Sequence, residues 1–508
     1  MIAAAATELP GTTGTGPRVR HGAVLAVTCL ALAAVVSAMS SLNVALPSVA
    51  VATHASQTQL SWIIDAYSLV FASLLLPAGA IGDRFGRRLV LLAGLSIFGL
   101  GSIGATLTSS PSVLIGVRAV LGVGASLVMP ATLSTITSTF PREQRARAVG
   151  VWAAVAGASA VVGLLVSGTL LEFWSWRSVF LLNVVLAAVA LVGTLKFVPE
   201  SAEADPPAID VVGAVLAFLG LAVLVYSVIE APSRGWGNWA TLGGIALGLI
   251  VLAVFIAWEL RRRHPLLDPR LFRHHRFTAG SLSIMMQFFG FFGFIFVIMQ
   301  YLQLVRGDSG LTAAVSMLPM AATMVPSTRL SGHLTERFGA RRPWVAGLLL
   351  MATAMVVLSG LGRDSSYWLL LCGLLPLGAG MGLAMTPATT AITDALPPAL
   401  QNVGSAMNDL SRELGGAMGI AVLGSILTAL YSSNLKLTAL PGAPVALVHK
   451  AQSSLAAASA MGDAVKHQAA AAFIDGLQGA FLCAAGIAVL TAIAVALLLR
   501  TASSTTEE

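Results

Sequence analysis

Charged residues are scarce in this chain of 508 residues, since Asp, Glu, Lys and Arg together make up only 10% of it. Soluble domains usually contain about 25% charged residues. Hydrophobic residues make up 56% of the chain, so a soluble fold would lack the polar surface that keeps a protein in solution. The scarcity of charge therefore excludes an ordinary soluble protein and places the chain in a lipid bilayer.

Cysteine and the common catalytic motifs are also missing or rare. The three cysteines, Cys29, Cys372 and Cys483, lie in apolar runs without the spacing of a metal site or of a disulfide framework. The sequence contains no phosphate-binding Gly-x-x-x-x-Gly-Lys loop, no zinc motif and no hydrolase triad. We therefore expect no metal, no cofactor and no enzymatic activity. Any transport would draw its energy from an ion gradient or from the gradient of the substrate.

Basic residues outnumber acidic ones and give a net charge of +7. They fall in short segments between apolar runs, which is the pattern of membrane topology. The sequence thus predicts a lipid bilayer, and no nucleic acid, as the partner of this charge. The excess of arginine over lysine, with abundant alanine and glycine, suggests a bacterial origin.

Apolar runs of about 20 residues, the length that crosses a bilayer, recur along the whole chain. We expect fourteen membrane helices, near 22–50, 60–82, 89–108, 112–136, 146–170, 176–197, 210–230, 238–259, 277–303, 311–333, 343–362, 367–391, 404–430 and 474–499. With a cytoplasmic N-terminus, the inner segments hold more than twice as many basic residues as the outer ones. Both termini are therefore expected in the cytoplasm, with the chain in the plasma or inner membrane.

A glycine- and arginine-rich segment occurs twice, about half the chain apart. Residues 79–88 read Gly-Ala-Ile-Gly-Asp-Arg-Phe-Gly-Arg-Arg, and residues 332–341 read Gly-His-Leu-Thr-Glu-Arg-Phe-Gly-Ala-Arg. Internal repeats around a central site are typical of secondary transporters. We therefore predict an all-α membrane fold of two pseudo-symmetric six-helix bundles with two inserted helices.

The predicted domain organisation follows from this repeat. The segments are a cytoplasmic N-terminal tail (1–21), an N-terminal six-helix bundle (22–197), an inserted helix pair with a cytoplasmic loop (198–276), a C-terminal six-helix bundle (277–499) and a cytoplasmic tail (500–508). Within the C-terminal bundle we expect an outer loop at 431–473, either disordered or weakly helical because it is rich in alanine and serine.

The segment 79–88, with Asn43-Val-Ala-Leu-Pro47 before it, resembles the major facilitator superfamily, in particular its fourteen-helix drug:proton antiporter branch. The resemblance implies that this segment belongs to a cytoplasmic gate. Its glycines permit a tight turn, and its arginines hold the loop at the inner face; a basic loop that only sets topology is the alternative. The expected gate residues are Gly79, Asp83, Arg84, Gly86, Arg87 and Arg88.

The same resemblance implies a function. It predicts a proton-coupled secondary transporter that exports lipophilic drugs or toxic compounds, cationic ones included, by alternating access. The alternative within the superfamily is a dedicated exporter or facilitator of one endogenous metabolite or lipid. The expected partners are a small lipophilic substrate, protons and the lipid bilayer, and the chain is expected to be a monomer.

Asp65 and Arg118 are charged residues inside predicted membrane helices of the N-terminal bundle. Asp65 stands about two turns into the second helix, where a buried carboxyl group can exchange a proton or attract a lipophilic cation; a water-exposed position is the alternative. Arg118 lies in the fourth helix, where an arginine is costly and usually functional or paired. The resemblance links Arg118 to proton transfer or gate stability, and a purely structural contact between helices is the alternative.

A pair of carboxyl groups lies in the run 404–430. Asp409 and Glu413 are spaced i, i+4 on one helix face, and Arg412 can bridge to Asp409 at i, i+3. Glu413 is expected to lie deeper and to bind the proton or cation. Asp409 is expected nearer the inner interface, where pairing with Arg412 is the alternative to a coupling role.

Aromatic and methionine side chains mark a candidate substrate cavity. Trp62 and Tyr67 flank Asp65, and Asn43 lies in the first helix. Met286 and Phe289 belong to a methionine- and phenylalanine-rich stretch that suits adaptable binding of flat hydrophobic compounds. Packing against neighbouring helices or lipid is the alternative for this stretch.

The chain departs from the antiporter pattern at two places. Drug exporters of this branch commonly carry an aspartate in the first helix, and here that position is Ala38. The Gly-Pro-x-x-Gly-Gly motif of the fifth helix is Gly163-Leu-Leu-Val-Ser-Gly168, without the proline. Fewer acidic groups remain to balance positive charge, so we expect neutral or monovalent substrates.

Overall fold

A computed structural model of the chain describes residues 20–201, 210–262, 265–396, 401–435 and 445–504. Within these ranges the backbone is helical nearly throughout and forms no β-strand. Most of the predicted N-terminal tail, and parts of the 198–276 segment, the 431–473 loop and the C-terminal tail, lie outside the described residues. The predicted all-α class is confirmed.

The described residues contain fourteen helical spans long and apolar enough to cross a membrane, which confirms the predicted number. The helices are α1 (His21–Thr53), α2 (Gln57–Phe85), α3 (Arg87–Leu107), α4 (Pro111–Thr139), α5 (Arg142–Phe173), α6 (Arg177–Phe197), α7 (Val211–Arg234), α8 (Trp239–Glu259), α9 (His275–Gln300), α10 (Gly310–Ser316), α11 (Leu318–Phe338), α12 (Arg341–Ser359), α13 (Tyr367–Asp394), α14 (Gln401–Asn434), α15 (Val445–Ser453), α16 (Leu455–Ser459) and α17 (Asp463–Ser504). A π-helix at Tyr301–Val305 extends α9, and α10 with α11 forms one span.

The helices form two groups with an inserted hairpin at the seam between them. Helices α1–α6 pack mainly on one another, and α9 and α11–α14 pack mainly on one another and on α17, whereas the short α10 packs mainly on α5. The hairpin of α7 and α8 contacts both groups, because α7 packs on α2 from the first group and on α14 from the second. The predicted architecture of two bundles plus two inserted helices is therefore confirmed.

The arginine-rich turn between α2 and α3, with Arg84, Arg87 and Arg88, marks one end of the bundle. At this end α2 stops at Phe85 and α3 starts at Arg87, so Gly86 alone makes the turn, with φ +104°. Only glycine adopts this conformation without strain. We call this end, where α1 also begins, the basic end, and the opposite one the far end.

The far end joins the two groups through close backbone contacts. Gly168 of α5 lies against the start of α10, so that a Cβ atom added there would stand 2.8 Å from Leu311 Cα. The side-chain amide of Gln303 donates a hydrogen bond to the Val44 carbonyl of α1 at 2.8 Å. The two groups are thus closed against each other at the far end.

The inserted hairpin is fastened at the basic end by Asp210, which directly precedes α7. Its carboxylate accepts hydrogen bonds from the Trp258 indole at 2.9 Å, from Arg262 Nε at 3.2 Å and from the Gly213 amide at 2.9 Å. Burial works against the charged form, but these hydrogen bonds hold the pKa of Asp210 below its ordinary value. The carboxylate therefore ties the start of α7 to the end of α8.

The region predicted as an outer loop at 431–473 is more helical than the sequence indicates. α14 continues to Asn434, the two short helices α15 and α16 follow, and α17 begins at Asp463 instead of near 474. Alanine, the strongest helix former, is frequent there. The first turns of α17 are polar, so a search for apolar runs places its start too late. Tyr431 donates a hydrogen bond to the Ala451 carbonyl at 2.8 Å, so this segment packs onto the bundle.

Candidate functional site

Asp65 is fully buried on α2, and neither of its carboxyl oxygens has a hydrogen-bond partner among the described residues. A capping box between Ser56 and Gln59 fixes the start of α2 and so sets the depth of Asp65 in the bundle. An unpaired charge in such a position is costly. The carboxyl group is therefore a site that a proton or a cation would stabilise, and the water-exposed alternative does not match its burial.

Arg118 of α4 holds the segment of α2 on both sides of Asp65. Its Nε donates a hydrogen bond to the Ile63 carbonyl at 2.8 Å, and its guanidinium carbon lies 4.2 Å from the centre of the Tyr67 ring. Its two terminal nitrogens are buried without a hydrogen-bond partner in the described part of the chain. Arg118 thus makes the helix contact that was the alternative, and its two terminal nitrogens remain donors without a described partner.

The close approach of α4 to α2 depends on Gly122. A Cβ atom added at Gly122 would stand 2.6 Å from the Tyr67 carbonyl oxygen, closer than atoms can pack. Because Arg118 lies one helical turn from Gly122, this glycine brings the guanidinium group within reach of the α2 backbone. The glycine-rich stretch of α4 therefore positions the arginine.

The acidic pair Asp409 and Glu413 lies on α14, which packs against α2 across the seam. Glu413 is buried, with its Oε2 atom lacking a hydrogen-bond partner among the described residues. Asp409 lies 3.9 Å from an Arg412 guanidinium nitrogen, and Arg412 also lies 5.4 Å from the ring centre of Phe288. This weak ion pair matches the alternative given for Asp409, namely pairing with Arg412 instead of a coupling role. Glu413 is the less satisfied group.

Tyr67 of α2 connects Arg118 of the first group with Glu413 of the second. Tyr67 stacks under Arg118 and lies close enough to Glu413 to interact with it electrostatically. Tyr67 also donates a hydrogen bond to the Val35 carbonyl of α1 at 3.3 Å. The site therefore joins helices α1, α2 and α4 of the first group with α14 of the second.

The predicted gate segment forms its contacts with the first group. Arg87 binds Asp83 with a nitrogen–oxygen distance of 3.0 Å, and its backbone amide donates to the Ser201 carbonyl at 2.9 Å. Arg88 donates to the Leu195 carbonyl at 2.7 Å. The segment is thus tied to the end of α6 and the residues after it.

The remaining gate residues serve packing at the same turn. A Cβ atom at Gly86 would lie 2.5 Å from a Glu200 carboxyl oxygen, which is the movable end of a flexible side chain, so glycine is favoured there by φ and not by space. Gly79 faces Pro130 of α4, with 3.8 Å between an added Cβ and the proline Cβ. Arg84 stands 5.9 Å from the Phe85 ring centre. These contacts shape the turn, and the gate role stays a prediction.

The five residues expected to line a substrate cavity lie on α1, α2 and α9, and their role stays a prediction. Asn43 and Tyr67 are buried, and Asn43 donates to the Met39 carbonyl of its own helix at 2.9 Å. Phe289 is buried where α9 meets α14, while Met286 is half-buried. Trp62 turns towards α7. The residue spacing within one helix shows which side chains share a face, but it does not show which neighbouring helix covers that face.

Sequence reasoning missed Glu230 of α7. The Trp62 indole donates a hydrogen bond to its Oε1 atom at 3.1 Å, and the Tyr226 ring lies 5.7 Å from the Trp62 ring. The signal was present, because a carboxylate at the end of the apolar run 210–230 is unusual. The buried amides Gln287 and Gln300 were also missed, and each keeps a carbonyl oxygen without a described partner.

The two departures from the antiporter pattern meet in the structure. Ala38 is buried in α1, and its neighbour Ser37 lies against Gly163 of α5, with 3.0 Å between an added Cβ and the Ser37 Cα. Ser167 donates a hydrogen bond to the Ser41 carbonyl at 2.8 Å. The remaining glycine thus still allows α1 and α5 to pack closely, although the position of the expected acid is apolar.

Metal binding finds no support in the described part of the chain, where no group of three or more His, Cys, Asp or Glu side chains is placed to hold an ion. The site therefore offers proton and cation binding by single carboxyl groups inside an apolar, helical environment.

Comparisons with known proteins agree with this fold. The family model of the Major Facilitator Superfamily matches residues 28–420. The chain is 34% identical over 497 residues to the multidrug efflux pump LfrA of Mycolicibacterium smegmatis, covering 97% of each chain. It is 33% identical over 459 residues to the methyl viologen resistance protein SmvA of Salmonella typhimurium, covering 90% of this chain and 92% of that one.

The fold is similar to a solved structure of low sequence identity. This is a bacterial homologue of the human lysosomal transporter Spinster in an inward-facing, unoccupied conformation. The TM-score is 0.68 at 18% identity, over 96% of this chain and 98% of the other. At this identity the similarity shows the fold alone.

Proposed function

The chain belongs to the Major Facilitator Superfamily, a family of transporters and not of enzymes, and we propose that it exports lipophilic drugs or toxic compounds in exchange for protons. The proposal rests on the buried, unpaired carboxyl group of Asp65 at the seam between the two groups. Relatives at 33% and 34% identity that are named for multidrug efflux and methyl viologen resistance support export as the direction.

The proposed orientation places the basic end in the cytoplasm. Arginines concentrate at the turns of this end, as the positive-inside rule requires of cytoplasmic loops. Both termini are then cytoplasmic, and the proposed location is the cell membrane of a bacterium, since the relatives named above are bacterial. We expect a monomer with the domain boundaries 22–197 and 277–499.

Alternating access is the proposed mechanism. The contacts of Gly168 and Gln303 close the far end, which is the outer end in this orientation. A carrier that binds substrate from the inside must open these contacts to release it outside. Protonation of Asp65 or Glu413 from the outside would lower their attraction for a cation, and deprotonation inside would restore it.

Replacing Gly168 by valine is expected to prevent closure of the outer end. The side chain would collide with the backbone of Leu311 and Gly310, which cannot move aside as a flexible side chain can. We expect Val44→Cys, introduced as a reporter after removal of the native cysteines, to react with an impermeant maleimide added outside. In the protein that keeps Gly168, residue 44 is buried, so the cysteine should be protected from the maleimide.

The matched control is Gly157→Val on the same helix, because nothing lies within 4 Å of a Cβ atom there. It should leave the reporter protected and export unchanged. Equal labelling of Val44→Cys in the two valine variants would contradict the outer-gate role of Gly168.

Everted membrane vesicles test the proposed exchange. Respiration acidifies the vesicle interior, and an added substrate should move in while protons move out, so a pH-sensitive dye inside should report alkalinisation. Ethidium, a lipophilic monocation, should give a larger response than the dication methyl viologen, because Ala38 removes one acid from the expected set. Transport that persists without a proton gradient, with no dye response to either compound, would refute antiport.

A dedicated exporter or facilitator of one metabolite or lipid is the second candidate. The apolar Ala38 and the missing proline in α5 favour it, because the multidrug branch typically carries an aspartate at the first position and a proline at the second. Overexpression in a susceptible host separates the candidates. Resistance to chemically unrelated compounds supports multidrug export, and resistance to none of them supports a dedicated substrate.

A further inference from the structure

A cavity of about 470 Å³ lies at the seam beside the inserted hairpin, towards the basic end. Its walls come from α2, α7, α8, α9 and α14, and the residues before and within the 3₁₀-helix at Pro269–Arg273 close its basic end. The volume lies within the range of about 300–1,000 Å³ typical of small-molecule sites, which occur preferentially between domains. We call this space the seam cavity.

The lining of the seam cavity is apolar apart from a few hydroxyl groups. Two of them, Ser281 of α9 and Ser411 of α14, are at least 97% buried, and neither hydroxyl has a hydrogen-bond partner among the described residues. A buried hydroxyl without a partner costs free energy that a ligand with a polar atom can recover. The hydrocarbon tail of a lipid has no such atom, so the two serines favour a different occupant.

The seam cavity and Asp65 share one face of α2. Residues 65, 69, 72 and 76 follow the i, i+4, i+7, i+11 spacing of a single helical stripe. Ala72 and Leu76 line the cavity, and Leu69 packs against Val225 of α7 between the cavity and Asp65. At 1.5 Å per residue, Asp65 lies about 10 Å along the helix axis from Ala72.

The inserted hairpin separates the seam cavity from the surrounding bilayer. The lining side chains of α8 are Leu252, Phe255 and Ile256, and α8 is the least buried of the fourteen spans. A compound dissolved in the inner leaflet therefore meets a thin, apolar wall at this place.

We propose that the seam cavity binds the transported compound on its way from the inner leaflet to Asp65, and that its ligands are drug-sized lipophilic molecules with at least one hydrogen-bonding group. This inference rests on the proposed export function. Leu69 is the barrier that the compound must pass, and the carboxyl group of Asp65 beyond it favours molecules carrying one positive charge.

Filling the seam cavity should block this path. Ala217 of α7 lines the cavity, and Ala217→Trp places an indole inside it. We expect kcat/KM for ethidium export to fall about tenfold, the size of effect that misfit in an apolar pocket produces. The control is Leu219→Trp on the lipid-facing side of α7, which is 46% exposed and should export as the unchanged protein does.

The two serines provide a test that adds no volume. Ser281→Ala and Ser411→Ala remove the unpartnered hydroxyls, and each should weaken ethidium binding by between about twofold and tenfold if the ligand uses them. Unchanged binding in both variants, together with normal export by Ala217→Trp, would overturn the assignment of this cavity to the substrate.

Photolabelling keeps the site separate from the export function, because it uses the purified full-length protein and needs no gradient. Ethidium azide should label peptides from α7, α9 and α14 in the unchanged protein, with protection by unlabelled ethidium, and not in Ala217→Trp. Labelling elsewhere, or labelling that phospholipid suppresses and ethidium does not, would overturn the proposal in favour of a lipid groove. Labelling as expected without any export in vesicles would instead refute the proposed function.

Discussion

Asp65→Asn is expected to abolish substrate-driven proton movement while the protein still folds and reaches the membrane. Asparagine has nearly the same shape, so the packing of α2 around the fully buried side chain is retained. It carries no titratable proton and no negative charge. Because neither carboxyl oxygen of Asp65 has a described hydrogen-bond partner, the substitution breaks no described side-chain contact that could account for the loss.

The size of the effect follows from the lost charge. Ethidium export should fall by at least about tenfold, because the attraction between a carboxylate and a cation in a poorly solvated site is worth about 1.4 kcal/mol or more. The export that remains should be independent of external pH, since no proton is exchanged at residue 65. Initial rates in everted vesicles, measured over a range of pH values, provide both quantities.

Asp364→Asn is the matched control for this measurement, because Asp364 is an exposed acid between α12 and α13. It should export ethidium with the pH dependence of the unchanged protein. If the Asp65→Asn variant still alkalinises the vesicle interior when ethidium is added, another group carries the proton.

The membrane helices were predictable from the sequence because the bilayer imposes a length and a polarity on each of them. An apolar run of about 20 residues has few alternatives to a membrane helix. The alternation of basic segments and the repeat at 79–88 and 332–341 then gave the two bundles. The start of α17 at Asp463 was missed because its first turns are too polar for a hydropathy window.

The sequence indicated which residues of the candidate site are buried, but not which groups they contact. Burial of Asp65, Arg118 and Glu413 follows from charges lying in apolar runs. That Arg118 binds the Ile63 carbonyl and stacks on Tyr67 depends on how closely α4 approaches α2, which no spacing within one helix reveals. The contacts between α4 and α2 therefore required the structure.

The partner of Arg118 changes how the carboxyl groups are interpreted. No ion pair of 4.0 Å or less joins Arg118 to Asp65 or Glu413 among the contacts described, so the arginine does not neutralise either acid. Its guanidinium group lies instead over the face of the Tyr67 ring, which attracts a cation electrostatically. A carboxylate that is not permanently paired remains available to a proton or a substrate, and exchange transport requires such a group.

Glu413→Gln is expected to lower ethidium export by about tenfold, the effect of losing about 1.4 kcal/mol of attraction for a cation. The amide keeps the shape of the buried side chain and removes its charge. Glu172→Gln, at an exposed acid near the end of α5, is the control and should leave the export rate unchanged.

The double variant Asp65→Asn, Glu413→Gln decides whether the two acids act together. The acids lie on α2 and α14, which pack against each other, and Glu413 interacts electrostatically with Tyr67, which is two residues from Asp65 along α2. Residues that serve one proton pathway give effects that do not add, whereas independent residues give additive ones. We therefore expect the double variant to export ethidium at the rate of Asp65→Asn alone. A further tenfold loss would instead mean that Asp65 and Glu413 bind proton and substrate separately, one on each side of the seam.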